Sequence, residues 1–282
     1  MKQRQIACIR IPNFYWEVEV TRRLSVRSMQ VLIAGYRSQY DARERAGLGN
    51  RIVLDCSPDL SDVKPGMPLC EAISRHKSAV IIDADLPFYS SAFDEMLSAI
   101  ERVVPDVEDG GTGLAYVGIS GLEKLYGSDA QVVHMLAEAV SVVSGFNLHV
   151  GVAQNKWLAY LASFLGKPGS GRKVTGEPGR FLARFPVDLL PVSYKTVKKL
   201  HSFGLIKMGD IADLWQGPME AQFGSVGRMI WKLSNGIDDR QLVPRKTIEV
   251  VSEHLAFQDS TISIPAILSA IESLLYKAFN HP

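Results

Sequence analysis

Long apolar runs are missing from this chain. No stretch of its 282 residues approaches the roughly 18 apolar residues that a membrane span needs. Nor does the N-terminus carry the apolar core of a signal peptide: Lys2 and Arg4 lead into alternating residues from Ile6 to Ile11. Cysteine is scarce. Cys8, Cys56 and Cys70 are odd in number and far apart, which excludes a disulfide framework and zinc spacing and reads as the reduced thiols of a cytoplasmic protein. The six histidines are scattered, without metal-ligand spacing. An excess of either charge is missing too, with 31 Lys and Arg against 30 Asp and Glu. What remains is ordinary globular material, 46% hydrophobic and 22% charged, too long for one typical domain and suited to two or three.

The near-zero net charge hides a segregation. Residues 1–166 hold 16 Lys and Arg against 19 Asp and Glu, whereas residues 167–245 hold 13 against 7. A basic stretch of this kind points to a phosphate-facing surface.

Hydrophobic alternation predicts strands at 6–11, 31–34, 52–54, 79–82, 114–117 and 148–153. Helical spacing appears over 90–103, where Phe93, Met96, Leu97 and Ile100 recur, and again over 128–144 and 156–164. From residue 79 the order is β-α-β-α-β, for which an antiparallel sheet with helices on one side is the natural solution. Residues 166–173, rich in Gly, Pro and basic side chains, read as a linker and the clearest domain boundary. They lack the order of a phosphate-binding Walker loop. Short helical segments punctuated by Gly and Pro follow, over 179–184, 196–203, 207–214 and 226–233. Residues 247–257 regain strand character, and a helix is predicted over 265–279. One β-α beginning cannot close a domain, so the reading expects a further C-terminal region.

Five segments then resemble Y-family translesion DNA polymerases, in order and in register. They are Phe14-Tyr15 after the first strand; Val63-Lys-Pro-Gly-Met-Pro-Leu-Cys-Glu-Ala72; Val150-Gly-Val-Ala-Gln-Asn-Lys-Trp-Leu-Ala159 with Gly166-Lys-Pro168; Phe203-Gly-Leu-Ile206 with Asp210-Ile-Ala-Asp-Leu214; and Phe223-Gly-Ser-Val-Gly227 with Asn235-Gly-Ile-Asp-Asp-Arg240. The resemblance implies an α+β fold of right-hand polymerase architecture. Its antiparallel palm sheet would be formed by 1–13 and 79–166, its small fingers by 14–78, its helical thumb by 167–245, and the start of an incomplete little finger by 246–282.

Polymerases of this kind hold two Mg²⁺ ions about 3.5–4 Å apart between carboxylates. The family's three carboxylate positions carry Arg10, Gly113 and Leu114 here. An arginine opposes a dication, and the other two offer no side-chain oxygen. The expectation is therefore a chain that is not an enzyme, with no metal site and no cofactor. The alternative is a weak or Mn²⁺-dependent polymerase that holds Mg²⁺ or Mn²⁺ through the displaced carboxylates Asp106, Glu108 and Asp109. The resemblance also maps a vestigial nucleotide pocket onto Tyr15, Cys56, Asp59 and Lys167. Tyr15 matches an aromatic that screens against ribonucleotides, and Lys167 a lysine that reaches phosphate. Cys56 and Asp59 stand in the run where the family has a Tyr and an Arg, so an acid replaces a phosphate-holding arginine.

DNA contacts are expected from Lys167, Arg172 and Lys173 on the boundary loop, and from Lys195, Lys198 and Lys199 on one helical face. Arg228 and Lys232 form an i,i+4 pair, and Arg245 and Lys246 lie on the link to the next domain. The glycine-rich hairpin of the family's thumb is replaced by Pro191-Val-Ser-Tyr194, which removes close backbone approach to phosphate. Ser120-Gly121 with Leu125-Tyr126-Gly127, and Glu253-His-Leu-Ala-Phe257, resemble the ImuB-type branch, whose members lack the polymerase carboxylates. That likeness implies a DNA- and protein-binding adaptor in damage tolerance and induced mutagenesis, cytoplasmic and associated with the bacterial nucleoid. Its partners would be primer-template or single-stranded DNA, an error-prone C-family polymerase, a RecA-like accessory protein and the sliding clamp. A third possibility is a protein-interaction module that has lost DNA binding.

Overall fold

The computed structural model describes residues 5–36, 51–245, 255 and 263–279. The strands are β1 (Ile6–Arg10), β2 (Val31–Tyr36), β3 (Arg51–Cys56), β4 (Val80–Asp83), β5 (Val107–Asp109), β6 (Leu114–Gly118), β7 (His149–Ala153) and β8 (Gly171–Lys173). The helices are α1 (Phe14–Arg22), α2 (Leu69–Arg75), α3 (Leu86–Glu101), α4 (Glu123–Tyr126), α5 (Asp129–Ser144) and α6 (Lys156–Ser163). They continue as α7 (Pro178–Leu182), α8 (Tyr194–Ser202), α9 (Met208–Ala212), α10 (Gln216–Phe223), α11 (Ser225–Ser234) and α12 (Ile264–Phe279). Among the described residues no helix is long and apolar enough to cross a membrane.

Residues 1–245 form one compact unit and 246–282 a second. The first is built on a five-stranded sheet in the order β5-β6-β1-β7-β8. β1 lies between β6 and β7, antiparallel to both. It is covered on both faces, which is why Ile6-Ala-Cys-Ile9 is an uninterrupted apolar run. One face, carrying Ala7, Ile9, Ala115, Val117, Val150 and Val152, packs against α3 and α5. α3 opens on Asp85, whose carboxylate accepts the Phe88 N–H at 3.3 Å, and buries Tyr89, Phe93, Met96, Leu97 and Ile100 at helical spacing. α5 is capped by Ser128 and ends at Gly145 in the left-handed region, φ 62°. Each large apolar side chain so buried contributes about 1.5–3 kcal/mol.

The opposite face carries Ile6, Cys8, Tyr116 and Ala153. It packs against α6 and then the helices α7 to α11, which share its core through Leu182, Leu200, Met208, Ile230 and Leu233. A second, three-stranded sheet, β3-β2-β4, encloses a small core of Leu32, Val53, Leu60 and Leu69.

Three expectations are corrected, and one strand that alternation does not announce is added. Residues 80–83 do not join the large sheet: β4 pairs with β2, parallel, in the small one. The presumed linker contains β8, parallel to β7 through Val150–Gly171, Gly151–Arg172 and Val152–Lys173. Its three residues are exposed, so no apolar pattern announces it. Residues 107–109 form an edge strand although two of the three are acidic, because backbone pairing to β6 suffices there. Finally, helices cover both faces of the large sheet and one of its pairings is parallel. The second unit is described only at Leu255 and over 263–279, so the strand expected over 247–257 falls almost wholly outside the described residues.

Candidate functional site: the α6-facing side of the large sheet

Strand alternation brings Arg10, Leu114 and His149 into one cross-strand row, and Cys8, Tyr116, Glu108 and Gly151 into the next, on the face covered by α6. Gly151 makes that close cover possible. A Cβ at this position would lie 2.0 Å from the Ala159 carbonyl oxygen and 2.4 Å from the Ser163 nitrogen. Asn155 caps the helix, accepting the Leu158 N–H at 2.9 Å, and its amide nitrogen donates to the Gly236 carbonyl at 2.9 Å. The same corner is held by Asp238, which accepts the Trp157 N–H at 3.0 Å and pairs with Arg240.

A cleft of about 420 Å³ opens here, lined by Glu108, Asp109, Leu114, Tyr116, Lys156 and Arg240 among others. Lys156 is buried and donates to Glu108 at 2.6 Å. The other Glu108 oxygen accepts the Val243 N–H at 2.6 Å. Burial pushes the Tyr116 phenol well above its ordinary range. Lys156, Trp157, Tyr116 and Asp238 carry the site's geometry, yet none stands out in sequence. Only the family-like segments 150–159 and 235–240, which contain Lys156, Trp157 and Asp238, hint at them.

The three family carboxylate positions are now placed. Arg10 donates from Nε to Ser163 Oγ at 3.0 Å and lays its guanidinium over the Phe164 ring, 4.1 Å from the centroid. Gly113 stands at φ 76°, and a Cβ there would meet Phe14 Cβ at 2.8 Å and the Ile11 carbonyl at 3.0 Å. A restored aspartate would be strained at that position. Leu114 is half-buried at the cleft. Of the displaced acids, Glu108 is committed on both oxygens. Asp109 accepts the Gly111 N–H at 2.7 Å. The Asp106 Cβ lies beside Gly118. Among the described residues no three His, Cys, Asp or Glu side chains gather closely enough to hold a metal ion. The Mg²⁺ pair implied by the family therefore does not fit these side chains as arranged, and no chemical step is assigned to it.

Tyr15 stacks on Tyr89, ring centroids 4.7 Å apart, and is partly packed against the core. Cys56 is buried, with its carbonyl accepting from Asn13 Nδ2 at 3.0 Å. Burial pushes the Cys56 thiol up to about 11. Asp55 beside it accepts from Asn13 and from the Trp16 N–H, tying β3 to the start of α1. So the start of α1, which carries Tyr15, is tied to the end of β3, which carries Cys56. Asp59 is exposed, its carboxyl held below the usual range by the Ser57 hydroxyl. Lys167 lies elsewhere, exposed beyond the end of α6.

The residues expected to face DNA divide in two. Lys167, Arg172 and Lys195 are exposed and form no ion pair among the described residues, and Lys198 only stacks over Tyr194 at 4.8 Å. The rest are committed within the chain. Lys173 pairs with Asp129 at 2.5 Å, Arg228 with Glu220, and Lys232 with Asp239 at 2.7 Å. Lys199 donates to the Gln222 carbonyl at 3.1 Å. Arg245 reaches back to Glu101 and Ser98 on α3. Lys246 falls outside the described residues.

Similarity to known proteins runs through both halves of this unit. The chain is 29% identical over 252 residues to a protein named DNA polymerase IV from Caulobacter vibrioides, covering 87% of this chain and 59% of that relative. It is 26% identical over 275 residues to a DNA polymerase IV from Methanoculleus marisnigri, covering 96% of this chain and 74% of the relative. The crystal structure of DinB from Sulfolobus solfataricus superposes with a TM-score of 0.69 at 17% identity, covering 99% of this chain and 80% of that one, so the α+β polymerase fold is shared. These relatives correct the expectation of a chain that is not an enzyme. Proteins aligned along nearly its whole length carry an enzyme's name, against an inference resting on Arg10, Gly113 and Leu114 alone. Together with the match of the impB/mucB/samB family to residues 9–164, more than half of the chain, they show that this protein belongs to that family and is a homologue of the Y-family DNA polymerases.

Proposed function

We propose that this chain holds primer-template DNA between the large sheet and the helices α7 to α11, and extends it weakly, as a translesion-type DNA polymerase. The supporting observation is the alignment with proteins named DNA polymerase IV over 87–96% of the chain, through sheet and helical region alike. Weak extension is expected because Glu108 is tied to Lys156 and Val243. Primer extension on an undamaged template, in Mg²⁺ and then Mn²⁺, tests this. Extension above background that falls at least about tenfold in Asp109→Asn is the expected result. No extension in either ion would overturn the reading.

Grip on DNA rests on the uncommitted cations. Charge reversal of Lys195 and Lys198 together is expected to weaken primer-template affinity by about tenfold or more and to flatten its dependence on salt, since each lost phosphate contact removes about 0.9 from the slope. Anisotropy titrations at several salt concentrations read both. Unchanged affinity would move the DNA off this surface.

A second reading is favoured by the cation at position 10. Arg10 stands where the family has its first carboxylate, in keeping with the ImuB-type branch. In this reading the chain also serves in induced mutagenesis as an adaptor near the nucleoid, between DNA and an error-prone C-family polymerase, a RecA-like accessory protein and the sliding clamp. Pull-down with those purified partners tests it, and failure to retain any of them would remove it.

A further inference from the structure

Arg10 is a half-buried cation with no counter-ion among the described residues. Its Nε donates to Ser163 Oγ and its face rests on Phe164. Neither contact carries a negative charge. No carboxylate pairs with it among the described residues, and no protein acceptor there takes its Nη donors. A guanidinium in this condition keeps the cost of desolvation without the compensation an anion would bring. Burial accordingly makes it a weaker base than an ordinary arginine. Two anchors nevertheless fix the plane of the group, so its free donors form a prepared fork of the kind that matches phosphate oxygens.

The neighbouring strand holds the backbone next to a second cation, Lys167, which lies beyond the end of α6. His149 lies opposite Arg10 in register. Its Nδ1 is 2.9 Å from the Gly166 carbonyl, which can only accept, so the Nδ1–H donates and holds the backbone immediately before Lys167. Lys167 is exposed and forms no ion pair among the described residues. Both unpaired cations thus follow from the same end of the large sheet. Lys156, at the other end of α6, is neutralised by Glu108.

We propose that Arg10, with Lys167, forms a phosphate-binding site that works without a divalent cation, the guanidinium itself supplying the countercharge. The ligand chemistry is a phosphoryl group, supplied either by the DNA backbone or by a nucleoside triphosphate. This inference rests on the reading that nucleic acid or nucleotide enters the cleft.

The test is equilibrium binding of labelled primer-template DNA, and separately of a labelled deoxynucleoside triphosphate, each in EDTA and in Mg²⁺. For at least one ligand, binding is expected to persist in EDTA and to fall about tenfold or more in Arg10→Gln. The ligand so affected identifies the source of the phosphate. Arg10→Lys, which keeps the charge and loses the fork, is expected to fall between the two. It also covers the case in which Arg10→Gln fails to fold, as read by circular dichroism. Binding that needs Mg²⁺ for both ligands, or that is unchanged in both variants, overturns the inference. If the wild type still binds DNA and responds to reversal of Lys195 and Lys198, only the phosphate site falls. If the wild type binds neither ligand, the proposed function falls with it.

Discussion

Gly151→Ala is expected to abolish the folded state. The added methyl carbon would stand 2.0 Å from the Ala159 carbonyl oxygen, 2.4 Å from the Ser163 nitrogen and 2.9 Å from the Ala162 carbonyl carbon. All three belong to the backbone of α6 or its end, so no side-chain rotation relieves them. Ordinary overpacking costs about 1–3 kcal/mol because flexible side chains yield. Here either α6 or β7 must move, and both are buried. Lifting α6 would strip cover from Cys8, Tyr116 and Ala153 and pull Lys156 away from Glu108. A loss above about 4 kcal/mol is expected, comparable to the whole margin of many domains. Soluble yield and thermal unfolding by circular dichroism measure it. A melting point within a few degrees of wild type would show that α6 is not seated as closely as described. Gly179→Ala, which meets nothing within 4 Å, serves as the control.

Asp238→Asn is expected to cost about 1.5–3 kcal/mol, the scale for hydrogen bonds made by a buried charged group to a backbone N–H and a half-exposed arginine. The Asp238 side chain is only 2% exposed. It accepts the Trp157 N–H at 3.0 Å and two bonds from the Arg240 guanidinium at 2.8 and 2.9 Å. Burial alone would raise its carboxyl, but Arg240 and the backbone N–H groups of Arg240 and Trp157 outweigh it and hold the group below the usual aspartate range. In the unfolded chain the group titrates at its ordinary value, about 3.9. The unfolded chain thus binds the proton more readily. The stabilisation is fully present above that value and is lost as pH falls toward the depressed folded one. Urea denaturation between pH 3 and pH 7 should show wild type losing more stability than Asp238→Asn over the acid end. Asp62 and Glu220 are also depressed, but through exposed ion pairs that water screens, and they are common to both proteins. Parallel pH curves would mean that Asp238 does not hold α6 to the segment after α11.

Much of this molecule was legible in one dimension. The helices over 86–101 and 129–144 announce themselves because each needs one apolar face, and Phe93, Met96, Leu97 and Ile100, or Val132, Val133, Leu136 and Val140, supply it at helical spacing. Buried β1 and β7 are read from short apolar runs. The family was readable as well, because its segments are local and keep their spacing. The inference from Arg10, Gly113 and Leu114 to a chain without enzymatic activity was local too, and similarity along nearly the whole chain corrected it.

What failed in sequence were the features made by pairing at a distance. β4 looks like any apolar strand, and nothing in Val80-Ile-Ile82 says that its partner is β2 and not the large sheet. β8 is Gly-Arg-Lys, exposed throughout, and is a strand only because β7 lies beside it. Basic residues read as one class, yet Glu220, Asp239 and Glu101 neutralise Arg228, Lys232 and Arg245 while Lys195 and Arg10 pair with no carboxylate among the described residues. By itself, the sequence determined the helices, the buried strands and the family, because periodicity and motif spacing are short-range properties of the chain. Only the tertiary structure decided which strands share a sheet, which cations keep a free charge and where a glycine admits no side chain. Those depend on Coulomb and contact distances between residues that the chain itself holds far apart.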